Sequence, residues 1–210
     1  MRSPKLLVEF LGTFFLTATI GLTALAPGGA GSLAPLGVGA MLIALVYAGG
    51  PISGAHYNPA VTLSVFLRGA CPARDVAPYL AAQLLGASTA AGAVLLLKGN
   101  PPVAAADLDV ARALLAEFLF TFALCYVILT VATAKATAGN SYYGVAIGLT
   151  VMAGGFAVGP ISGAVFNPAM AVGATILGLS TPAGIWIFLA AEFAAGALAA
   201  PAYRWISREA

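Results

Sequence analysis

The sequence predicts an all-α membrane protein with six transmembrane helices and two re-entrant half-helices, built as an inverted internal repeat. Three observations predict this fold class. The 210-residue chain is 61% hydrophobic and 8% charged, with a mean hydropathy of +0.99, which is far from the balance of soluble domains. Two segments, PISGAHYNPAVT at 51–62 and PISGAVFNPAMA at 160–171, are nearly identical. Each of them places an Asn-Pro pair inside an apolar stretch.

The spanning helices are predicted from apolar runs of about 20 residues, which suffice to cross a hydrocarbon core of about 30 Å. Such runs lie near 5–26, 77–97, 111–133 and 183–203, and shorter ones lie near 36–50 and 141–158. The first run also imitates a cleaved signal peptide, because Arg2 and Lys5 precede it and small residues follow it. Glu9 lies inside that run and has a counterpart in the second half, which favours a retained helix.

The chain is an internal duplication. The stretch EFLGTF at 9–14 resembles EFLFTF at 117–122, 108 positions later, and the two PISGA segments are 109 positions apart. The polar, proline-containing stretch 98–103 predicts the connecting loop. Each half then crosses the membrane three times, so the second half must enter from the opposite side. We predict a single domain over 1–210, built of inverted repeats 1–100 and 101–210.

The distribution of basic residues predicts the orientation. Positively charged loops stay in the cytoplasm, and seven basic residues fall on one side of the predicted topology against two on the other. The seven are Arg2, Lys5, Arg68, Arg74, Lys135, Arg204 and Arg208, and the two are Lys98 and Arg112. We expect a multi-pass protein of the cell membrane, surrounded by the lipid bilayer, with both termini cytoplasmic. The scattered charges form no patch for nucleic acid.

The repeated segments predict two short helices. Proline suits the first position of a helix, so Pro59 and Pro168 would begin helices that Asn58 and Asn167 cap. Helices over 59–67 and 168–178 would be about 14 and 16 Å long, or half a bilayer. An interfacial helix or a kinked span is the alternative interpretation, since re-entrant backbone must be covered by protein or line a wet cavity. The antiparallel duplication favours two re-entrant half-helices.

Two half-helices from opposite faces would meet N-terminus to N-terminus at the membrane midplane. Both positive dipole ends would then point to the same place and disfavour cations. Each capping asparagine would use its oxygen for the cap and keep its amide N–H groups free to donate into the space between them. Aspartate would cap equally well but attract cations. The residue type therefore favours a passage for neutral molecules.

With these features the chain resembles the major intrinsic protein family, the aquaporins and aquaglyceroporins. The resemblance rests on SGAHYNPAVT at 53–62, SGAVFNPA at 162–169, AQLLGA at 82–87 and the paired Glu9 and Glu117. It implies a pore in every subunit, usually a homotetramer, and passive passage of water and small uncharged solutes without a catalytic site, metal or cofactor. The implied pore motif is Asn58, Pro59, Ala60, Asn167, Pro168 and Ala169.

The resemblance also carries four selectivity-filter positions onto Val38, Gly155, Ala164 and Met170. Family members typically have arginine at the fourth position, where it donates hydrogen bonds to the solute and repels cations and protons. Methionine does neither. We expect a wide, apolar filter that matches neither the water-selective nor the glycerol branch and admits larger neutral solutes, metalloid hydroxides such as arsenite among them. The alternative is that Met170 packs away from the pore or that the pore narrows elsewhere.

Ionisable residues inside spans are costly and by default functional. A proton relay is one hypothesis for Glu9, Glu117 and Glu192, whereas the resemblance implies that Glu9 and Glu117 accept hydrogen bonds from the loop backbone and hold the half-helices. Glu192 aligns with Gln83, and the sequence assigns it no role. His56 could sense pH or line the pore vestibule, and we favour the vestibule.

A secondary transporter is the alternative function, because such proteins also use inverted repeats and broken helices. Coupled transport needs an ion site, however, and neither Asn-Pro-Ala motif has an Asp, Glu, Lys or Arg beside it. An intramembrane enzyme is disfavoured because a single histidine and two separated cysteines provide no catalytic or zinc-binding arrangement.

Overall fold

The computed structural model describes residues 3–207, so Arg2 and Arg208 of the orientation argument lie outside the described residues. Within this range the chain forms eight α-helices joined by short loops. In chain order they are α1 (Ser3–Ala24), α2 (Ala34–Ser53), α3 (Pro59–Arg68), α4 (Ala73–Lys98), α5 (Val110–Ile128), α6 (Tyr143–Ser162), α7 (Pro168–Ile176) and α8 (Ile185–Ser207).

Six of these helices, all except α3 and α7, are long and apolar enough to cross a membrane, counted over residues 3–207. Helix α5 continues as a π-helical turn over Leu129–Thr133. The two shorter apolar runs of the sequence belong to full-length helices. Pro51 and Pro160 lie within the last turns of α2 and α6, so these spanning helices extend into the repeated segments. The six predicted spans are all present.

The half-helices α3 and α7 begin where the sequence predicts, at Pro59 and Pro168. Helix α3 ends at Arg68, one residue later than expected, and α7 ends at Ile176, two residues earlier than expected. The early end of α7 has a local cause, because Gly178 adopts a left-handed conformation with φ of 77°. Glycine does this without a Cβ penalty and commonly terminates helices.

Each half-helix packs mainly against a spanning helix of the other half of the chain. Helix α3 lies against α8, and α7 lies against α4. The halves also meet directly along α2 and α6, where small residues allow close approach. A Cβ added to Gly148 would lie 2.6 Å from the backbone oxygen of Gly39, so the two helices touch through their backbones. The two halves therefore interlock around their centre.

Candidate functional site

The centre of the molecule is formed by the N-termini of α3 and α7. The side-chain oxygen of each capping asparagine accepts hydrogen bonds from the backbone N–H groups two and three residues ahead. The distances are 2.8 and 3.3 Å for Asn58 and 3.0 and 3.4 Å for Asn167. Both caps satisfy N–H groups that a helix terminus otherwise leaves unpaired.

The two asparagines also tie the halves together. Asn58 Nδ2 donates to the backbone oxygen of Phe166 at 2.8 Å, and Asn167 Nδ2 donates to that of Tyr57 at 2.9 Å. The expectation that both amide groups are entirely free is therefore wrong, since a carbonyl of the opposite loop takes one hydrogen of each. An amide nitrogen carries two hydrogens, so one on each asparagine is left for a molecule between the half-helices.

Glu9 holds the loop that precedes α3. Its Oε1 accepts from the Ser53 hydroxyl at 2.6 Å and from the His56 backbone N–H at 3.0 Å. Its Oε2 accepts from the Tyr57 backbone N–H at 2.7 Å and from Gln83 Nε2 at 2.8 Å. The side chain is fully buried. All four donors converge on one carboxylate, which fits support of the loop better than a proton relay.

Glu117 does the same for the loop that precedes α7. Its Oε1 accepts from the Ser162 hydroxyl at 2.6 Å and from the Val165 backbone N–H at 3.0 Å, and its Oε2 accepts from the Phe166 backbone N–H at 2.7 Å. These distances repeat those of Glu9. The duplicated sequence thus produces duplicated contacts.

Both loops contain residues with strained backbone. Ala55, Tyr57, Ala164 and Phe166 have φ between 49° and 54°, in the left-handed region that non-glycine residues rarely adopt. Such strain persists only where the surroundings fix the chain. The carboxylates supply that constraint, and glycines make room for the rings. A Cβ on Gly154, for example, would lie 2.6 Å from the Phe166 ring.

A cavity of about 400 Å³ runs along this centre. It is bordered by both asparagines, by His56 and by all four predicted filter positions, Val38, Gly155, Ala164 and Met170. Among the described residues that line it, none is Asp, Glu, Lys or Arg. Likewise, over residues 3–207, no group of three His, Cys, Asp or Glu side chains could hold a metal ion. The cavity is thus apolar apart from a few amide, hydroxyl and imidazole groups.

Met170 lines this cavity but is only 3% exposed. Its sulfur accepts a hydrogen bond from Thr17 Oγ1 of α1 at 3.0 Å. The sequence offered two alternatives, a methionine in the filter or one packed away from it. The structure combines them, because the thioether is fixed against α1 while the residue still borders the cavity.

The sequence predicts an open gap beside Gly155, but the structure shows that this space is filled. A Cβ on Gly155 would lie 2.8 Å from Pro35 Cβ and 3.1 Å from Pro35 Cγ. The ring of Pro35, which also lines the cavity, occupies the space that a side chain at position 155 would take. The four predicted filter positions are thus all apolar, and Pro35 fills the space beside Gly155.

His56 lies between the main cavity and a smaller cavity of about 170 Å³, and it lines both together with Ile128. Its Nδ1 is 3.1 Å from Thr62 Oγ1, and its ring packs edge-on against Tyr79 with centroids 5.2 Å apart. The imidazole is held in place by these contacts, as a vestibule residue would be.

Sequence reasoning assigned Glu192 no role, yet it contacts the centre directly. Its Oε1 accepts from the Asn167 backbone N–H at 2.9 Å, and the side chain is fully buried. The one available signal was its spacing of 109 residues from Gln83, the same spacing that separates the repeated segments. Thr17 and Pro35 gave no comparable signal.

The chain is similar to known proteins in both sequence and structure. A family model described as "Major intrinsic protein" matches residues 2–203. Aquaporin NIP1-4 of Oryza sativa subsp. japonica is 40% identical over 209 residues, which cover 96% of this chain and 76% of that protein. Aquaporin NIP1-1 of Zea mays is 36% identical over 213 residues, covering 96% and 74% respectively.

Among solved structures, the X-ray structure of the aquaglyceroporin from Plasmodium falciparum superimposes with a TM-score of 0.80. The two chains share 22% sequence identity, and the match covers 97% of this chain and 96% of that one. At this identity the similarity concerns the fold alone. It confirms the predicted fold class of six spanning helices and two half-helices.

Proposed function

The chain belongs to the major intrinsic protein family, and we propose that this member is a passive channel whose apolar filter admits neutral solutes larger than water. It is a multi-pass membrane channel for water and small neutral solutes and not an enzyme, as its aquaporin relatives indicate. The width of the filter, the preferred solute, the roles of individual residues and the assembly are the parts that we propose.

The observation that carries the proposal is the pair of asparagines at the joined N-termini of α3 and α7. Each keeps one amide hydrogen beyond the bond to the opposite loop, and both line the cavity. A water oxygen or a solute hydroxyl accepts from these donors as it passes. A cation meets two positive helix ends there and has no compensating charge in the lining. Asn58, Pro59, Ala60, Asn167, Pro168 and Ala169 are thus proposed as the selective centre.

We propose Val38, Gly155, Ala164 and Met170 as the filter, with Pro35 closing the wall at Gly155. Met170 offers the solute neither a positive charge nor a hydrogen-bond donor, and its sulfur is engaged by Thr17. An apolar wall cannot replace the hydration shell of a small polar molecule as well as arginine does. A wide apolar filter therefore favours larger neutral solutes, among which we propose glycerol-like molecules and metalloid hydroxides such as arsenite.

Glu9 and Glu117 are proposed to position the two loops, and His56 is proposed to line the vestibule. We also infer one domain over 1–210, made of inverted repeats 1–100 and 101–210. The repeated carboxylate contacts and the reciprocal asparagine bonds support that division.

We further propose a homotetramer in the cell membrane with both termini cytoplasmic. The excess of basic residues on one side of the topology supports the orientation. Native mass spectrometry of the detergent-solubilised protein tests the tetramer, and a reporter domain fused to the C-terminus tests the orientation.

The solute proposal is tested by stopped-flow light scattering on proteoliposomes challenged with gradients of water, glycerol, urea and arsenous acid. We expect each neutral solute to move faster than in protein-free vesicles, in proportion to its gradient. A secondary transporter is not favoured by the relatives, and it would show saturable uphill flux driven by a proton gradient. Permeability to water alone would contradict the wide filter while leaving the channel intact.

A further inference from the structure

A carboxyl group stands in the second half of the channel where the first half has an amide. Glu192 follows Gln83 by 109 positions, and both side chains are fully buried. Gln83 Nε2 donates to Glu9 Oε2 at 2.8 Å and to Thr62 Oγ1 at 3.0 Å. In the first half, a neutral amide therefore completes the donors around the loop-supporting carboxylate.

In the second half, Glu192 lies beside Glu117, since the two carboxyl groups accept from the adjacent backbone N–H groups of Asn167 and Phe166. Its Oε1 accepts from the Asn167 backbone N–H, while its Oε2 is buried and finds no donor among the described residues. Two ionised carboxylates so close in a buried site repel each other, and neither can donate to the other. One proton shared by the pair removes the repulsion between the two negative charges. It also provides the hydrogen-bond donor that Glu192 Oε2 otherwise lacks.

Over residues 3–207, the elements packed against α8 carry two cations, and each is engaged elsewhere. Helix α5 carries Glu117, Cys125 and Arg112, and the exposed Arg112 side chain pairs with Asp109 at 3.7 Å. Helix α7 and the turn at Leu129–Thr133 contain no ionisable residue. Helix α3 carries one, Arg68, at its last position, where the guanidinium lies over the Tyr203 ring, 5.0 Å from its centroid.

We propose that Glu192 is protonated at neutral pH and donates a hydrogen bond to Glu117, so that a one-proton carboxyl pair positions the second loop and Asn167. The protonated carboxyl resembles Gln83 in donating to the loop-supporting carboxylate of its half, as Gln83 Nε2 does to Glu9. Loss of the proton at alkaline pH would place a second negative charge beside Glu117 and weaken the hold on Asn167. Solute flux should then fall reversibly as the pH rises. The proton is independent of which solute passes.

Infrared spectroscopy of the purified channel tests the proton directly. With ¹³C-labelled glutamate, the native protein at neutral pH should show a protonated-carboxyl C=O band that shifts with the label and disappears as the pH is raised. Glu192→Gln should remove this band, and Gln83→Glu should add one by creating the same pair beside Glu9. If the native protein shows no such band at neutral pH, or if Glu192→Gln leaves it unchanged, the proposal is wrong.

Flux measurements provide the second readout. Water permeability of native proteoliposomes should fall about threefold or more at alkaline pH, whereas Glu192→Gln should stay within about twofold across the same range. Glu192→Leu, which can neither donate nor accept, should lose flux at every pH. Equal pH dependence of the native protein and Glu192→Gln would overturn the regulatory part. The infrared band is measured without any flux, so failure of the proposed solute range leaves this test intact.

Discussion

The asparagine centre and the proposed filter lie three residues apart in the chain, since Asn167 caps α7 and Met170 lies in its first turn, but different forces define them. At the centre, each asparagine caps a helix and donates to a carbonyl of the opposite loop. The geometry is therefore fixed by hydrogen bonds that occur in both halves of the duplicated sequence. The four proposed filter positions carry small or apolar side chains, and only Ala164 has the same residue, Ala55, 109 positions away in the other half. Met170 is fixed by its contact with Thr17. We therefore propose that the exclusion of charge depends on the hydrogen bonds of the fold itself, whereas the size limit depends on a few replaceable side chains.

Removing the carboxylate that supports the centre should have the largest effect on stability. Glu117→Leu should leave three donors without an acceptor, namely the backbone N–H groups of Val165 and Phe166 and the Ser162 hydroxyl. At about 1–3 kcal/mol for each orphaned group, the loss should reach about 3 kcal/mol or more of stability. Thermal unfolding in detergent measures it. Asp107→Leu, at an exposed loop carboxylate, is the control and should change little; similar melting of the two variants would argue against the support role.

Asn167→Asp tests whether the asparagine centre excludes cations. Aspartate keeps the cap but places a negative charge in the cavity and loses the bond to the Tyr57 carbonyl. Cation conductance in proteoliposomes should rise about tenfold, which corresponds to roughly 1.4 kcal/mol of the barrier. Asn100→Asp, at the exposed end of α4, provides a matched control. Unchanged conductance with normal flux of neutral solutes would place the charge barrier elsewhere.

Met170→Arg should alter the filter without disturbing the centre. The larger, charged side chain should reduce glycerol and arsenous acid flux about tenfold while reducing water flux less. Stopped-flow scattering measures the ratio of the rates. Met170→Leu preserves the apolar character and should leave that ratio nearly unchanged. If arginine changes none of the rates, the assignment of this position to the filter is wrong.

Gly155→Ala is the mildest change and tests whether Pro35 closes the filter wall. The new Cβ would lie 2.8 Å from Pro35 Cβ, so α2 and α6 must shift. We expect a loss of about 1 kcal/mol, observed as a lower melting temperature. Gly92→Ala on α4 is the control, because a Cβ there meets open space and should be neutral or stabilising. Equal stability of the two variants would mean that Pro35 does not limit this wall.

Much of the fold follows from local sequence. The length of each apolar run determines the spans, and an Asn-Pro pair determines where a half-helix must begin, since proline has no N–H to lose at that position. The sequence places the end of α7 two residues too late, because nothing in the apolar pattern separates Gly178 from the helix before it. Its left-handed conformation could have been anticipated from the frequency of glycine at helix ends.

The remaining features depend on contacts between distant segments. Thr17 meets Met170 across 153 residues, and Asn58 meets the Phe166 carbonyl across 108. No periodicity encodes which hydroxyl approaches a thioether or which proline fills the space beside a glycine. The support by Glu9 and Glu117 was inferable only through the family resemblance, whereas Glu192 required the structure.

The most direct test of charge exclusion by the asparagine centre compares neutral and proton flux in the same native proteoliposomes. Water permeability is measured by light scattering and the collapse of a pH gradient by an enclosed dye. Since the proposed filter has Met170 in place of an arginine, we expect the centre to be the main barrier to protons. We expect rapid water flux with pH-gradient collapse close to that of protein-free vesicles. Collapse at a rate approaching that of water would contradict the account.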